Sequence, residues 1–172
     1  MDSQLQLFIV LLGGKHPQAN IEVHDLIPIV ATTLSDQYSM LKQRWFGQSL
    51  GLHIDGWMTI RGAMYQGQSY AVQIESTPSL PNSLKLYLIN LGGYIPQEFG
   101  EAHRYVVVAG KNPQEAKQQG KQYAAQHWQK AHTDAVIDVD DCLLLDLIDH
   151  YHIHLVAQTY APNEFQNDYI II

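Results

Sequence analysis

Displaced by 79 positions, the sequence lies over itself without a gap from residue 7 to residue 60. Leu7-Phe8-Ile9-Val10-Leu11-Leu12-Gly13-Gly14 falls on Leu86-Tyr87-Leu88-Ile89-Asn90-Leu91-Gly92-Gly93. Pro17-Gln18 falls on Pro96-Gln97, Glu22 on Glu101 and His24 on His103. Lys42-Gln43 then meets Lys121-Gln122, and His53 and Asp55 meet His132 and Asp134. Twelve of these 54 positions are identical, and they keep one register: G-G-x-x-P-Q-x-x-x-E-x-H, then H-x-D. A repeat of this length makes each copy one supersecondary unit. The chain is therefore expected to hold two such units, residues 1–79 and 80–172, around one shared core.

Each copy reads in the same order. Residues 7–12 and 84–91 are apolar runs that stop at Gly-Gly, as strands closed by a turn do. Such a turn predicts positive φ at Gly13 or Gly14 and at Gly92 or Gly93. A loop of about ten residues separates them from Leu26–Ala31 and Tyr105–Ala109, which are rich in Ile and Val. Pro28 predicts an edge position or a bulge. Leu34, Tyr38, Leu41 and Trp45 then recur on one helical face, with Ser35 or Asp36 to cap its start and Gly47 to end it. In the second copy, Asn112-Pro113-Gln114-Glu115 opens a helix expected to reach about Lys130.

Third strands are predicted over His53–Ile60 and Ala135–Val139, and fourth strands over Tyr70–Glu75 and His152–Gln158. The second copy is expected to add a short helix, Cys142–Asp149, capped by Asp140 or Asp141. The fold class is α+β: a tandem duplication of a β-β-α-β-β unit, related by a pseudo-two-fold, with antiparallel or mixed sheets and helices on one face. Ser76–Ser83 joins the copies.

This repeated pattern resembles a small bacterial family known as a domain of unknown function (family number 1543), whose members carry one or two copies. The resemblance covers about residues 7–60 and 86–139 and rests on the double glycine, the proline and the Glu-x-His together. It implies a duplicated domain and carries over no catalytic residue.

Composition narrows the partners. The net charge is -7, with 10 Lys and Arg against 17 Asp and Glu. Without basic clusters such a chain is a poor ligand for phosphate backbones, so no nucleic-acid partner is expected. Leu7–Leu12 is too short for a signal peptide core and no segment approaches a membrane span. The single cysteine, Cys142, excludes an internal disulfide and fits a reducing cytoplasm. An inert, buried thiol is the expectation there.

The repeated polar residues have a predicted meeting point. A strand–helix–strand connection in one sheet leaves the two strands parallel. The starts of strands two and three then share an edge with the Gly-Gly end of an antiparallel strand one. Gly13, Gly14, Pro17, Glu22, His24, His53 and Asp55 should gather there in copy one. Gly92, Gly93, Pro96, Glu101, His103, His132 and Asp134 should gather in copy two. Two His and two carboxylates are suitable donors for a divalent metal such as Zn²⁺ or Fe²⁺. A His held by a carboxylate can also act as a general base. The alternative is structural, with these side chains satisfying buried backbone groups. This edge is moreover the amino end of the parallel strands, whereas ligands in open α/β sheets favour the carboxyl end.

Other motifs are weaker. Gly13-Gly14-Lys15 lacks the spacing of a phosphate loop. His150, His152 and His154 alternate and would share one strand face. Asp138, Asp140 and Asp141 lack the Gly and terminal Glu of a calcium loop. Two functional classes follow. The first is a non-catalytic module that binds a small molecule or protein, or self-associates as a homodimer, in keeping with the repeat and the ten Tyr. The second is a hydrolase or lyase using the Glu-x-His and His-x-Asp cluster, with or without a metal. Whether the protein is an enzyme is left open.

Overall fold

The computed structural model describes residues 4–95, 97–127 and 137–172. The described strands are β1 (Gln6–Gly14), β2 (Val23–Ala31), β3 (His53–Ile60), β4 (Gly62–Tyr65), β5 (Gln68–Glu75), β6 (Lys85–Tyr94), β7 (Glu101–Gly110), β8 (Ile137–Leu144), β9 (Leu147–Ile148), β10 (Tyr151–Ala157) and β11 (Glu164–Ile171). The helices are α1 (Tyr38–Arg44), preceded by a 3-10 turn over Leu34–Gln37, and α2 (Pro113–His127). The fold is α+β with antiparallel sheets. Two contact units divide it: Met1–Gly62 with Ile148–Tyr151 and Ala161–Ile172, and Ala63–Leu147 with His152–Tyr160.

In the first unit the sheet order is β11-β3-β1-β2. The apolar run Leu7–Leu12 makes β1 its centre, with Leu7, Ile9, Val10 and Leu12 all buried. Phe8, Val10 and Leu12 pack with Ile27, Ile29 and Ala31 of β2 and with Leu41 and Trp45 at the helix. Removing a side chain such as Leu12 from this core would cost about 2–5 kcal/mol. Because β2 and β3 both run antiparallel to β1 on either side of it, they run parallel to each other. Pro28 lies on the edge strand β2, where its missing amide leaves no ladder bond unmade.

In the second unit β6 is flanked by β7 and β8, and α2 packs on this sheet. Tyr87, Ile89 and Leu91 of β6 meet Val106 and Val108 of β7 and Ala116 and Ala124 of α2. The Asn112 side chain accepts the Glu115 amide at 2.9 Å, so the predicted N-cap forms. Glu115 reaches one residue further back than a capping box would, to the Lys111 amide at 2.6 Å, and also accepts the Tyr65 hydroxyl at 2.8 Å. These bonds, the Lys111 amide first, hold its carboxyl below the usual glutamate range. The remaining sheet has the order β4-β5-β10-β9. Its β4–β5 hairpin turns on Gln66 and Gly67, with φ of 49° and 80°, the backbone that a two-residue hairpin needs.

Two expectations fail: the helix over Cys142–Asp149 and the positive φ at the double glycines. Cys142–Asp149 is not a helix: residues through Leu144 extend β8, which supplies the second neighbour of β6. Sheet pairing thereby overrides a local helix signal. Cys142 is partly buried on this strand, and burial pushes its thiol pKa up, as an inert thiol requires. Finally, Gly13, Gly14, Gly92 and Gly93 lie inside β1 and β6, and the positive-φ glycines among the described residues are Gly51, Gly67 and Gly100. No helix among the described residues is long and apolar enough to cross a membrane.

Candidate metal-binding site

The ladder of the first unit brings the predicted residues to one place. Gly13 of β1 stands opposite His24 on one side and His53 on the other. The β1–β3 register shifts between Leu11 and Leu12, pairing them with Gly56 and Ile54, so Asp55 is the bulged residue. The β11–β3 ladder shifts at the same point, pairing Asn167 with Gly56 and Ile170 with Ile54. A bulge re-aims its side chain, and Asp55, the extra residue against β1, turns into the cluster beside His53.

His53 Nε2 lies 3.5 Å from Glu22 Oε1 and 3.3 Å from Asp55 Oδ1. His24 Nε2 lies 3.4 Å from Glu22 Oε1 and 3.1 Å from Asp55 Oδ2. Glu22, His53 and Asp55 each offer a donor atom within 4.8 Å of the others, and His24 stands at their rim. The exposure is graded: His53 keeps 1% of its side-chain surface, Asp55 26%, Glu22 42% and His24 45%.

Two details give the cluster a chemical sense. His53 Nδ1 is 2.8 Å from the Gly51 carbonyl, which can only accept, so Nδ1 carries a proton. Nε2 faces two carboxylates, and the charge there is balanced either by a proton on Nε2 or by a cation held between the three groups. Second, Asp55 Oδ2 is buried and accepts no hydrogen bond, although His24 Nε2 lies 3.1 Å from it. A buried carboxylate oxygen with no donor is costly unless a cation serves it. A tetrahedral ion with bonds of about 2.0–2.1 Å holds its ligand atoms about 3.3–3.4 Å apart. The observed separations of 3.1–3.5 Å lie close to that edge, with His53 facing Asp55 Oδ1 and His24 facing Asp55 Oδ2. The residues therefore fit a divalent transition metal. An Nδ1–H bound to a backbone carbonyl is also the usual orienting contact of a metal-ligating imidazole.

Gly13 makes room for this. A Cβ there would sit 2.5 Å from Asp55 Oδ2 and 2.6 Å from His53 Nε2. Gly14 faces the Trp45 ring instead, at 3.0 Å. Pro17 lies in the loop between β1 and β2. Sequence reasoning missed Tyr169 of β11, whose ring lies 4.3 Å from the His53 ring, tilted by 33°. Its only sequence signal is the apolar ending Tyr169–Ile172.

In the second unit, Glu101 and His103 lie on β7, and Gly92 and Gly93 on β6, with Gly92 opposite His103. His132, Asp134 and Pro96 lie outside the described residues. Gly92 stands opposite Asp138 of β8, as Gly13 stands opposite His53, and Asp140 takes the bulged place of Asp55. Asp140, which the sequence reading assigned to a helix cap, is grouped with Glu101 and His103, their donor atoms within 4.8 Å of one another. The signal that would have found it is apolar-x-apolar-Asp, shared by Leu52–Asp55 and Ile137–Asp140. His152 and His154 do lie on β10, where His154 Nε2 is 2.8 Å from the Thr77 carbonyl.

Residues 19–73, which include Glu22, His24, His53 and Asp55, match the family described as Domain of Unknown Function (DUF1543). A solved structure, described as the crystal structure of a protein Il1583 from Idiomarina loihiensis, is similar over 97% of this chain and 97% of its own, at a TM-score of 0.69 and 28% identity. Curated proteins give no match.

Proposed function

We propose that the protein is a binding module whose small ligand is a divalent transition-metal ion, held by Glu22, His53 and Asp55 with His24 completing the set. The single observation that carries this reading is His53. It is buried, its Nδ1 is committed to the Gly51 carbonyl, and its Nε2 faces two carboxylates. A ring fixed in this way is pre-organised as a ligand, and a purely structural histidine has no need of the unserved Asp55 oxygen beside it. Zn²⁺ and Fe²⁺ both suit the mixed imidazole and carboxylate set. Calorimetric titration of the metal-stripped protein with Zn²⁺ tests the reading. One tight equivalent is expected in the wild type, with affinity at least 100-fold lower in His53→Ala. Absence of tight binding in the folded wild type would overturn it.

The tandem β-β-α-β-β duplication belongs to the same proposal. It is supported by matched registers. Gly13 opposite His24 recurs as Gly92 opposite His103, and Leu12 opposite Ile54 recurs as Leu91 opposite Val139. A metal- or His/carboxylate-dependent hydrolase or lyase is the second reading. It is favoured by the near-half exposure of Glu22 and His24, which leaves the cluster open to water on one side. A bound ion would lower the pKa of a water ligand and polarise an approaching substrate. Zn²⁺-dependent turnover of an activated ester, lost in His53→Ala, is the result this second reading requires.

A further inference from the structure

We propose that the metal ion of the first unit takes a small apolar carboxylate as a further ligand, its anionic head on the ion and its hydrocarbon body on exposed apolar side chains at the same end of the sheet. This rests on the metal-binding reading of Glu22, His53 and Asp55 and names the class of molecule that site would take.

Four strand ends define that end of the sheet. Gly14, where β1 stops, stands opposite Val23, where β2 starts. His53, where β3 starts, stands opposite Gly13 on one side and Ile171, at the end of β11, on the other. Among the described residues, the large apolar side chains left exposed in this unit are Ile21, Phe46, Leu50, Phe165, Tyr169 and Ile171. Five of the six belong to this end. Ile21 immediately precedes Glu22, and Leu50 precedes the Gly51 whose carbonyl orients His53. Tyr169 lies against the His53 ring. Phe46 has ring contacts with Trp45 at 4.7 Å and with His16, just past the end of β1, at 5.7 Å. Phe165, opposite Met58, lies toward the far end.

Single exposed apolar residues scattered over a surface need no explanation, but five gathered at the end that bears the polar cluster do. Ile21 and Leu50 keep 80% and 88% of their surface, so the core is no reason for either to be apolar. Their surroundings are also tied in place. The Gln48 amide donates to the Lys15 carbonyl at 2.7 Å, and Trp45 Nε1 donates to the Gln48 carbonyl at 3.0 Å. These bonds join the loop after α1 to the loop after β1. An apolar surface around a few placed polar groups is the ordinary composition of a small-molecule site.

Charge selects the head. Glu22 and His24 are both close to half exposed and leave the cluster open on one side, where a four-coordinate zinc ion can take a fifth ligand. Carboxylate oxygens are ligands for the same divalent metals. The two protein carboxylates already cancel the ion's charge, which disfavours a head of more than one negative charge, such as a phosphate.

The test is an NMR titration of the Zn²⁺-loaded full chain with acetate and with hexanoate, with the zinc content of the same sample measured. Hexanoate is expected to bind at least tenfold more tightly than acetate, because its four extra methylenes leave water on binding. In Ile21→Ser with Leu50→Ser that preference should fall to threefold or less, while zinc content and acetate binding stay unchanged. Both side chains lie outside the core, so the variant is expected to fold. Removing the zinc with a chelator should abolish the binding of both acids. A preference for hexanoate that is absent, survives the double variant or survives zinc removal would overturn this proposal alone. A folded wild type that retains no zinc would overturn the metal-binding reading and this proposal with it.

Discussion

At Gly13 a hydrogen stands where any other residue would place a carbon between Asp55 and His53. The demand for glycine comes from this close approach and not from backbone twist, since the residue lies in an ordinary strand. Gly13→Ala is therefore expected to push the two side chains apart. Overpacking of this kind costs about 1–3 kcal/mol, and it should weaken Zn²⁺ binding together with stability. Urea denaturation with and without Zn²⁺ checks both effects. A variant as stable as the wild type that also binds Zn²⁺ as tightly would show that the glycine has another cause. The double glycine was legible in the sequence as a constraint, but its physical reason was not, because the colliding partners come from strands about 10 and 40 residues away.

Among the elements, β1, β2 and the loop between them were readable because the two copies have equal loop lengths there. The constant offset of 79 carries Gly13 opposite His24 onto Gly92 opposite His103. Beyond the helices it fails as a guide. α2 runs over Pro113–His127, longer than the 3-10 turn and α1 together, and β8 answers to β3 at an offset of 85. Strand pairing, rather than the identity of His-x-Asp with residues 132–134, sets that equivalence, which is why Asp140 escaped notice. β11 escaped for a different reason. Its partner is β3, more than a hundred residues earlier, and local pattern says nothing about such a pairing. Its consequence is testable. The Tyr169 ring stacks on His53 and holds it against the carboxylates. Aromatic contacts of this kind are worth about 0.5–1.5 kcal/mol. Tyr169→Ala should accordingly reduce Zn²⁺ affinity by up to roughly tenfold, while Tyr169→Phe, which keeps the ring, should not. Equal loss in both variants would point to the hydroxyl instead.

For the whole molecule, the same three-strand arrangement appears once in each unit, with a strand at the centre and the Gly-Gly end of that strand beneath a His/carboxylate cluster. The first copy has a buried imidazole and an unserved carboxylate oxygen; in the second every member of the group is exposed. Metal affinity is thus expected to be unequal between units that share a strand plan. The most direct measurement is an anomalous difference map at the zinc edge from crystals of the full chain grown with Zn²⁺. The predicted result is one strong peak in the first unit, about 2.0–2.2 Å from His53 Nε2 and from oxygens of Glu22 and Asp55. Zinc found only on surface histidines such as His150, with no peak beside His53, would contradict it.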